Sequence, residues 1–371
     1  MATYKNVNNM KKLESYKLKL NPFRITPASN PEEIIWAGFK DVKQRMENRI
    51  KRSIRIRNSS LVLNWGEYGS GKTHAAKFFQ KEDVLAVLSD GFSMPYPILV
   101  YFPQGKEPVK ELFIQVVDKL NIEDLRGIFK NKNTLEILRQ CTDSILMQNV
   151  LRLLFDETVA ATQMKAYLYG NAQIKADFIK EGVQRKLESD SDYTEFLAAL
   201  FSFMTFSKSV FSCIIFWIDE FENMALLNLA NVTKMNNCIR TLMDKAPNNL
   251  LLFLNLTQSA MMDVDDLSAY LQEGVFNRIK ERIPLPTPGT IEVKEYLEDL
   301  LNNPIYRIGE PQDFTPFTED VVDNIIKDLN GSVPLRKYNE VFSSLLEYAM
   351  SDEVEVIDNE YYQRIKSEII V

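Results

Sequence analysis

One short stretch constrains the fold of this 371-residue chain more than any other. Residues 61–79, LVLNWGEYGSGKTHAAKFF, pass from a β-type apolar run through three glycines to a Lys-Thr pair and then into a helical pattern. We predict a buried strand over residues 61–65 and a helix over residues 74–79. A strand that leads through a glycine turn into a helix is half of a strand–helix–strand unit. The stretch therefore predicts an α/β fold with a parallel sheet.

The same stretch matches a phosphate-binding loop, the P-loop. Gly66, Gly71, Lys72 and Thr73 follow its pattern of a glycine, four residues, and then Gly-Lys-Ser/Thr. The glycines allow backbone amides to turn inward around phosphates, and the following helix adds its positive N-terminal end. We expect Lys72 to reach the β- and γ-phosphates and the Thr73 hydroxyl to bind magnesium. The predicted nucleotide-contacting residues are Gly66, Glu67, Tyr68, Gly69, Ser70, Gly71, Lys72, Thr73 and His74.

A second apolar run ends in two acids, which a nucleotide-hydrolysing site also requires. In FSCIIFWIDEFENM, residues 211–224, positions 214–218 are continuously apolar, as expected of a central parallel strand covered on both faces. We expect Asp219 to hold the magnesium shell and Glu220 to polarise the attacking water. The alternative is an ordinary acidic loop after a core strand. Adjacent acids at this place favour hydrolysis over kinase chemistry.

A third apolar run, residues 250–256, ends in polar side chains. In a parallel sheet the carboxyl ends of the strands line the ligand crevice. We therefore predict that Thr257 or Gln258 contacts the γ-phosphate or the attacking water, with Asn255 as the alternative. A simple loop start would give the same polar pattern.

Two arginines further along are candidates for an arginine finger, which a neighbouring subunit often supplies. Arg278 and Arg282 lie in VFNRIKERIPLPTPG, residues 275–289, which we predict to form a short helix, a strand and a proline-rich exit from the core. Of the two we prefer Arg278. The alternative is that both are ordinary surface arginines.

The last part of the chain is predicted to be helical. Residues 290–301 repeat apolar side chains at helical spacing, Thr318 resembles a helix start, and residues 330–331 resemble a helix end. A further helix begins near Val333 and carries Arg336 in its first turn. In a small helical lid this arginine would contact the phosphates. The alternative is a solvent-facing side chain.

Charge is unevenly distributed along the chain, whose formal net charge is −7. Up to Arg57 there are 14 Lys and Arg against five acidic residues, so the negative charge lies in the remainder. Within residues 44–58, Met46, Ile50 and Ile54 recur every four residues, which predicts an amphipathic helix. Its basic face carries Arg45, Arg49, Arg52 and Arg55. That face is either solvated or a contact for the phosphate backbone of DNA.

Several protein classes are excluded by composition. No run of 18 apolar residues is long enough to span a bilayer, and the first 14 residues lack the apolar core of a signal peptide. We therefore expect a cytoplasmic protein without a membrane partner. Cys141, Cys213 and Cys238 are odd in number and lack metal-ligand spacing, which indicates buried thiols. His74, the single histidine, is interpreted as a packing or capping residue of the first helical turn.

Taken in order, these pieces resemble the AAA+ ATPases, in particular the branch around origin-recognition ATPases and their bacterial relatives. The resemblance covers most of residues 20–345, implies ATP with Mg²⁺ as the ligand, and includes an entry segment similar to NPF at residues 21–23. Residues 38–41 are Gly-Phe-Lys-Asp, where the family commonly has Gly-Arg-acid. By the resemblance, Lys72 and Thr73 are Walker A, Asp219 and Glu220 Walker B, Thr257 or Gln258 sensor 1, Arg278 the finger, and Arg336 sensor 2.

The middle of the chain carries a narrower resemblance. Residues 104–207 are predicted to form a mostly helical insertion between the two motifs. AYLYGNAQIKADFIKEGV, residues 166–183, and IIFWIDEFENM, residues 214–224, resemble the ATP-binding module of BREX-type phage-defence ATPases. GEYGSGKTH at residues 66–74 is similar to the P-loop of that module. The resemblance implies a role in defence against foreign DNA.

The sequence thus predicts an α/β P-loop core with a parallel sheet, a helical insertion and a C-terminal helical lid. The predicted division is a basic N-terminal segment (1–58), the ATPase core (59–288) and the lid (289–371). We expect ATP hydrolysis to control assembly of a homo-oligomer or of a complex with an effector protein, such as a nuclease. Two alternatives remain: an ATP-dependent DNA loader or target selector, and a nucleotide-gated scaffold with little turnover.

Overall fold

Five strands and the helices that connect them form the fold in the computed structural model, which describes residues 12–26, 30–130, 132–171, 174–246, 249–259, 262–331 and 333–370. The strands are β1 Asn58–Gly66, β2 Tyr96–Tyr101, β3 Ile214–Asp219, β4 Asn249–Thr257 and β5 Ile279–Pro284. The helices before β3 are α1 Lys40–Arg55, α2 Lys72–Phe78, α3 Glu82–Ser89, α4 Pro108–Lys119, α5 Ile122–Phe129, α6 Thr134–Cys141, α7 Ile145–Phe155, α8 Ala161–Leu168, α9 Ala176–Lys180 and α10 Asp190–Met204. The later helices are α11 Leu229–Lys245, α12 Leu267–Tyr270, α13 Glu273–Phe276, α14 Thr290–Leu301, α15 Glu319–Asp328, α16 Leu335–Ser351 and α17 Asn359–Ile369.

The five strands form one sheet in the order β2-β3-β4-β1-β5. β3 pairs in parallel with β2 on one side and with β4 on the other, with Tyr101 opposite Asp219 and Ile214 opposite Leu250. Every residue of β3 is buried, as expected of a strand covered on both faces. The predicted parallel sheet is confirmed. The three predicted strands fall within β1, β3 and β4.

The helices α4 to α10 lie between β2 and β3 in the chain, which confirms the predicted helical insertion. Aromatic rings hold it together, because Phe155 packs against Phe203 with centroids 4.4 Å apart and Phe129 contacts both. The buried Arg126 donates hydrogen bonds to carbonyl groups at the end of α7, which completes backbone bonding there. The insertion is therefore a packed helical body.

The chain forms two compact units, each discontinuous in sequence. One comprises the described residues within Met1–Gln44, Gly66–Phe78 and Pro284–Val371, and the other comprises Arg45–Trp65 and the described residues within Phe79–Ile283. Each unit has its own cluster of buried apolar side chains. The linear boundaries at residues 58 and 288 stay a prediction, and residues 1–11 and 27–29 of the predicted N-terminal segment lie outside the described residues.

Several local signals correspond to observed elements. The amphipathic helix is α1, in which Met46, Ile50 and Ile54 are fully buried. The apolar repeat at residues 290–301 is α14, and Thr318 is the residue that precedes α15. The helix predicted near Val333 begins two residues later as α16 and carries Arg336 in its first turn. Among the described residues, no helix is both long enough and apolar enough to cross a membrane.

Candidate functional site

The loop between β1 and α2 has the backbone geometry that its glycines predict. Gly69 and Gly71 have φ of 82° and 97°, in the left-handed region that side chains disfavour. At Gly66 a Cβ atom would lie 2.4 Å from the carbonyl oxygen of Leu285, so a side chain is excluded there. α2 begins at Lys72, two residues before the predicted start. The loop is therefore a tight glycine cradle that leads directly into a helix.

Lys72 lies inside this cradle. Its side chain is buried, and Nζ donates hydrogen bonds to the carbonyl oxygens of Gly66 and Glu67 at 2.9 and 2.8 Å and to Oγ of Ser70 at 3.2 Å. These acceptors are neutral, whereas phosphate oxygens are charged and form stronger bonds with an ammonium group. The arrangement therefore fits a loop that receives phosphates. Thr73 follows in the first turn of α2.

Arg336, the predicted lid arginine, lies against the same loop. Its guanidinium carbon is 4.9 Å from the centroid of the Tyr68 ring, and Nη1 donates a hydrogen bond to the Tyr68 hydroxyl. A Cβ atom on Gly69 would be 2.8 Å from Cβ of Arg336, so the close approach depends on glycine. Nε of Arg336 is 3.6 Å from Oε1 of Glu340. Arg336 therefore packs on the P-loop, and its contact with the phosphates stays a prediction.

His74 connects α2 to the segment that precedes α1. Its Nε2 is 2.6 Å from the carbonyl oxygen of Ile35, and nearby Trp36 packs edge-on against Phe78 with centroids 5.4 Å apart. Burial lowers the pKa of His74, the hydrogen bond to Ile35 opposes this, and the charge of Lys77 lowers the pKa further. Because a carbonyl oxygen can only accept, Nε2–H is the donor to Ile35. These contacts support the packing interpretation. A nucleotide contact by His74 stays a prediction.

The acid at the end of β3 is held by a chain of buried amides. Nδ2 of Asn255 on β4 donates to Oδ1 of Asp219 at 3.1 Å, and Nδ2 of Asn64 on β1 donates to Oδ1 of Asn255 at 3.0 Å. All three side chains are buried. Because β4 lies between β3 and β1, this series of hydrogen bonds crosses three adjacent strands. Asp219 is thereby oriented by the amide of Asn255, which Asn64 holds in turn.

Glu220 differs sharply from its neighbour Asp219. It is exposed, has a φ of 57°, and accepts a hydrogen bond from Asn223 at 3.2 Å. Partial desolvation raises its pKa, and the charges of Asp219 and Glu222 raise it further. A left-handed backbone in a residue other than glycine is strained, and such residues concentrate at functional sites. The carboxylate of Glu220 is thus accessible to water beside an acid that is buried.

The two preferred sensor candidates have other partners than Asp219. The backbone N–H of Thr257 donates to Oε2 of Glu222 at 2.8 Å, and Nε2 of Gln258 donates to Oδ1 of Asp263 at 2.6 Å. Their contact with phosphate or water stays a prediction. Asn255, the alternative, donates a hydrogen bond to Asp219. Asn64 was not predicted, although a single polar residue within the apolar run of β1 was a usable signal.

Each of the two arginine-finger candidates contacts residues of the chain to which it belongs. Arg278 forms an ion pair with Asp244 at 2.5 Å and donates to the carbonyl of Gly274. The guanidinium carbon of Arg282 lies 5.2 Å from the ring centroid of Phe276. A finger role in a neighbouring subunit stays a prediction for Arg278. Such a role would require the guanidinium to exchange Asp244 for a phosphate.

The basic face of α1 is partly neutralised within the chain. Glu281 on β5 accepts hydrogen bonds from Nε of Arg45, at 2.9 Å, and from Nε of Arg49. Partial burial works in the opposite direction, but these two arginines lower the pKa of Glu281. Arg55 pairs with Asp90 at 2.8 Å, while Arg52 is exposed. These ion pairs therefore reduce the positive charge that the four-arginine face presents to a polyanion.

Magnesium is the metal that the phosphate-binding loop implies. Within the described ranges, no group of three or more His, Cys, Asp and Glu side chains is placed to hold a metal ion. Mg²⁺ in nucleotide sites needs no such group, since it is bound by one or two protein oxygens, phosphates and waters. A hydroxyl from Thr73 and a carboxylate from Asp219 are chemically suitable ligands of this kind.

Comparisons with known proteins place the fold. No family model and no curated protein sequence matches the chain. The Aeropyrum pernix ORC1 protein, solved in complex with DNA, matches with a TM-score of 0.52 and 13% identity over 95% of this chain and 70% of that one. The ADP form of the Aeropyrum pernix ORC2 protein matches with a TM-score of 0.53 and 14% identity, covering 95% and 73%. Cdc6p from Pyrobaculum aerophilum matches with 0.50 and 12%, covering 93% and 70%. The chain has the α/β fold of AAA+ P-loop ATPases, as predicted.

Proposed function

We propose that this chain binds ATP with Mg²⁺ and hydrolyses it. The observation that carries the proposal is the position of Asp219, a buried carboxylate at the end of β3. Asn255 on β4 holds it, and β4 lies beside β1, the strand that leads directly into the P-loop. An ADP form among the solved structures with this fold adds support for a nucleotide ligand. A loop, a carboxylate and an adjacent water-accessible acid are the parts that phosphoryl transfer to water needs.

Each residue has a defined task in this proposal. Lys72 exchanges its carbonyl partners for phosphate oxygens and neutralises their charge. Thr73 and Asp219 hold Mg²⁺, which, when bound, supplies charge stabilisation at the phosphates. Glu220 orients the attacking water with its exposed carboxylate. Arg336, already against the P-loop, adds a positive charge near the terminal phosphate.

The test is a pair of variants assayed for both binding and turnover. Lys72→Ala should abolish binding of a fluorescent ATP analogue, whereas Lys77→Ala, a lysine change on the same helix, should leave it within about twofold. Glu220→Gln should bind ATP and lose at least ~100-fold in turnover, in the range that positioned acid–base groups contribute. Normal hydrolysis by the Glu220→Gln protein would refute the water-orienting role. Equal ATP binding by wild type and Lys72→Ala would refute the site itself.

We further propose that nucleotide state controls assembly with other copies of the chain and with an effector protein in anti-phage defence. The likeness of residues 66–74 and 166–183 to BREX-type ATPases supports the defence setting, with a nuclease as one effector class. Arg278 supports assembly, because a finger serves a neighbouring site only in an oligomer. Light scattering with ATP, with ADP and without nucleotide tests assembly. An unchanged mass in all three states would contradict it.

A second candidate function is ATP-dependent DNA engagement through α1. Arg52 is exposed on that helix, and a protein with this fold, ORC1, was solved in complex with DNA. ATP-dependent binding to duplex DNA with a steep salt dependence would favour it. Absence of binding at low salt would remove it. A scaffold with little turnover is the third candidate, since Arg278 is paired with Asp244 and would have to leave this partner before it could serve as a finger. Single-turnover assays with and without partners distinguish it.

A further inference from the structure

The P-loop carries an exposed aromatic residue that the proposed chemistry does not use. Tyr68 is 68% exposed, and it belongs to neither cluster of buried apolar side chains. Phosphate-binding loops act through backbone amides and a lysine, so the tyrosine ring is not needed to cradle phosphates. Its described contact is with Arg336. The ring therefore has a role that involves the arginine.

We propose that Tyr68 is a positioning residue for Arg336, holding the guanidinium ready for the terminal phosphate of ATP. The inference rests on the proposed ATPase function and adds to it a device that distinguishes ATP from ADP. It is carried by two contacts from one side chain, the ring face against the guanidinium and the hydroxyl that accepts from Nη1. A cation over an aromatic ring with a second, directional bond is held in one orientation.

The aliphatic part of the Arg336 side chain also lies close to the P-loop. Cβ of Arg336 lies where a side chain at Gly69 would meet it, and Pro334 also lies close to that point, 3.5 Å from the same position. Gly69 has a positive φ and carries no side chain, so the loop leaves room for the arginine. Tyr68 and Gly69 together form what we call the arginine seat. The seat brings the first turn of α16 against the P-loop.

The partners of the guanidinium are weak enough to be exchanged. Glu340, one turn later on α16, is 3.6 Å from Nε, and both side chains are about one third exposed, so solvent screens this pair. A terminal phosphate carries more charge and accepts bidentate bonds from a guanidinium, which makes it the stronger partner. The arginine seat orders the long side chain before the nucleotide arrives. Less conformational entropy is then lost on binding.

Ordering Arg336 should raise the affinity for ATP more than the affinity for ADP. Arg336 is expected to contact the terminal phosphate, which ADP lacks, so the benefit of ordering it appears in ATP affinity and not in ADP affinity. Removing the ring should weaken ATP binding by about three- to tenfold, the range of one cation–π contact with its hydrogen bond. ADP binding should change by less than about twofold.

A double-mutant cycle tests the inference. ATP and ADP affinities are measured by calorimetry for wild type, Tyr68→Ala, Arg336→Ala and the double variant, with Tyr68→Phe as the conservative change. We expect Tyr68→Ala to lower the ATP-to-ADP affinity ratio, Tyr68→Phe to retain most of it, and Tyr68→Ala to have no further effect when Arg336 is absent. Tyr348→Ala, an exposed tyrosine change on the same helix, should leave the ratio unchanged. Thermal melting of each variant checks that it is folded.

Two results would overturn the inference and leave the ATPase proposal intact. The first is an equal loss of ATP affinity from Tyr68→Ala with and without Arg336, because the tyrosine would then act directly or through the loop. The second is wild-type affinity for both nucleotides in Tyr68→Ala. A wild-type protein that binds no ATP, with Lys72→Ala indistinguishable from it, would overturn the proposed function and the inference together.

Discussion

Asn255 donates its side-chain amide to Asp219 at 3.1 Å, joining the ends of two neighbouring strands within the buried sheet. The Nδ2 group of Asn255 is oriented toward Asp219 because Oδ1 of Asn255 accepts a hydrogen bond from Asn64 at 3.0 Å. A carboxylate oriented by a buried amide chain can hold a metal ion without first changing its rotamer. This hydrogen bond favours Asn255 over Thr257 and Gln258 as the sensor 1 residue.

Asn255→Ala is predicted to lower ATP turnover by about 10- to 100-fold, because it removes a hydrogen bond to a charged group. ATP affinity should change by less than about threefold, since the P-loop is untouched. Thr257→Val is the matched control, because the contact of Thr257 with Glu222 uses its backbone N–H. Steady-state hydrolysis over a range of Mg²⁺ concentrations measures the difference. A Thr257→Val protein impaired as much as Asn255→Ala would contradict the preference for Asn255 over Thr257.

The pH dependence of hydrolysis should report Glu220. Partial desolvation and the charges of Asp219 and Glu222 raise the pKa of Glu220, and we propose that its ionised form orients water. Activity should therefore be lost, as pH falls, at a pH above the ordinary carboxyl range. Glu222→Gln removes one raising charge and keeps an acceptor for Thr257, so the acidic limb should move to lower pH. A pH–rate profile checks this, and a limb that stays in place would exclude Glu220 as its origin.

His74 should make stability sensitive to acid. Its pKa is lowered in the folded chain by burial, so below the ordinary value of about 6.5 the unfolded chain binds more protons. The free energy of unfolding should fall as pH is lowered from 7.5 to 5.5. His74→Gln keeps an N–H donor for Ile35 and cannot titrate, so its decline should be smaller. Urea unfolding midpoints measure the difference, and parallel curves for the two proteins would contradict the assignment.

If α1 contacts DNA, its arginines should contribute unequally. Arg52→Ala should reduce the slope of log affinity against log salt by about 0.9, the value for one released phosphate contact. Arg45→Ala should change the slope less, because Glu281 already pairs with Arg45. Fluorescence anisotropy with a labelled duplex at several salt concentrations gives both slopes. Equal reductions would show that the ion pair does not hold the arginine back from DNA.

Local sequence patterns were sufficient for several elements of the fold, although β2 was not predicted. The apolar run at residues 214–218 predicted a buried strand because a strand covered on both faces needs apolar side chains at every position. The glycine spacing at residues 66–71 predicted the loop because few other residues adopt its backbone angles. Each signal acts over a few residues, and the chain need not be folded for it to be recognised.

Local sequence patterns did not predict contacts between residues that are distant in the sequence. Asn64 and Asn255 are 191 residues apart and meet only because β4 pairs between β3 and β1. No local spacing ranks Asn255 above Thr257, since Asn255 lies within the apolar run and Thr257 directly follows it. The ion pairs that Glu281 makes with α1 likewise depend on β5 lying near that helix, 236 residues from Arg45.

The sequence by itself determined the strands β1, β3 and β4, the glycine loop and the identities of the acids, because these depend on side-chain chemistry and short-range backbone preference. The tertiary structure alone decided which amide holds Asp219, which arginines of α1 are neutralised, and that Arg336 rests on Tyr68. Such pairings depend on strand order and helix packing, which result from burial of apolar surface over the whole chain. A residue's type sets what it can bind, and the packing of the fold sets what it meets.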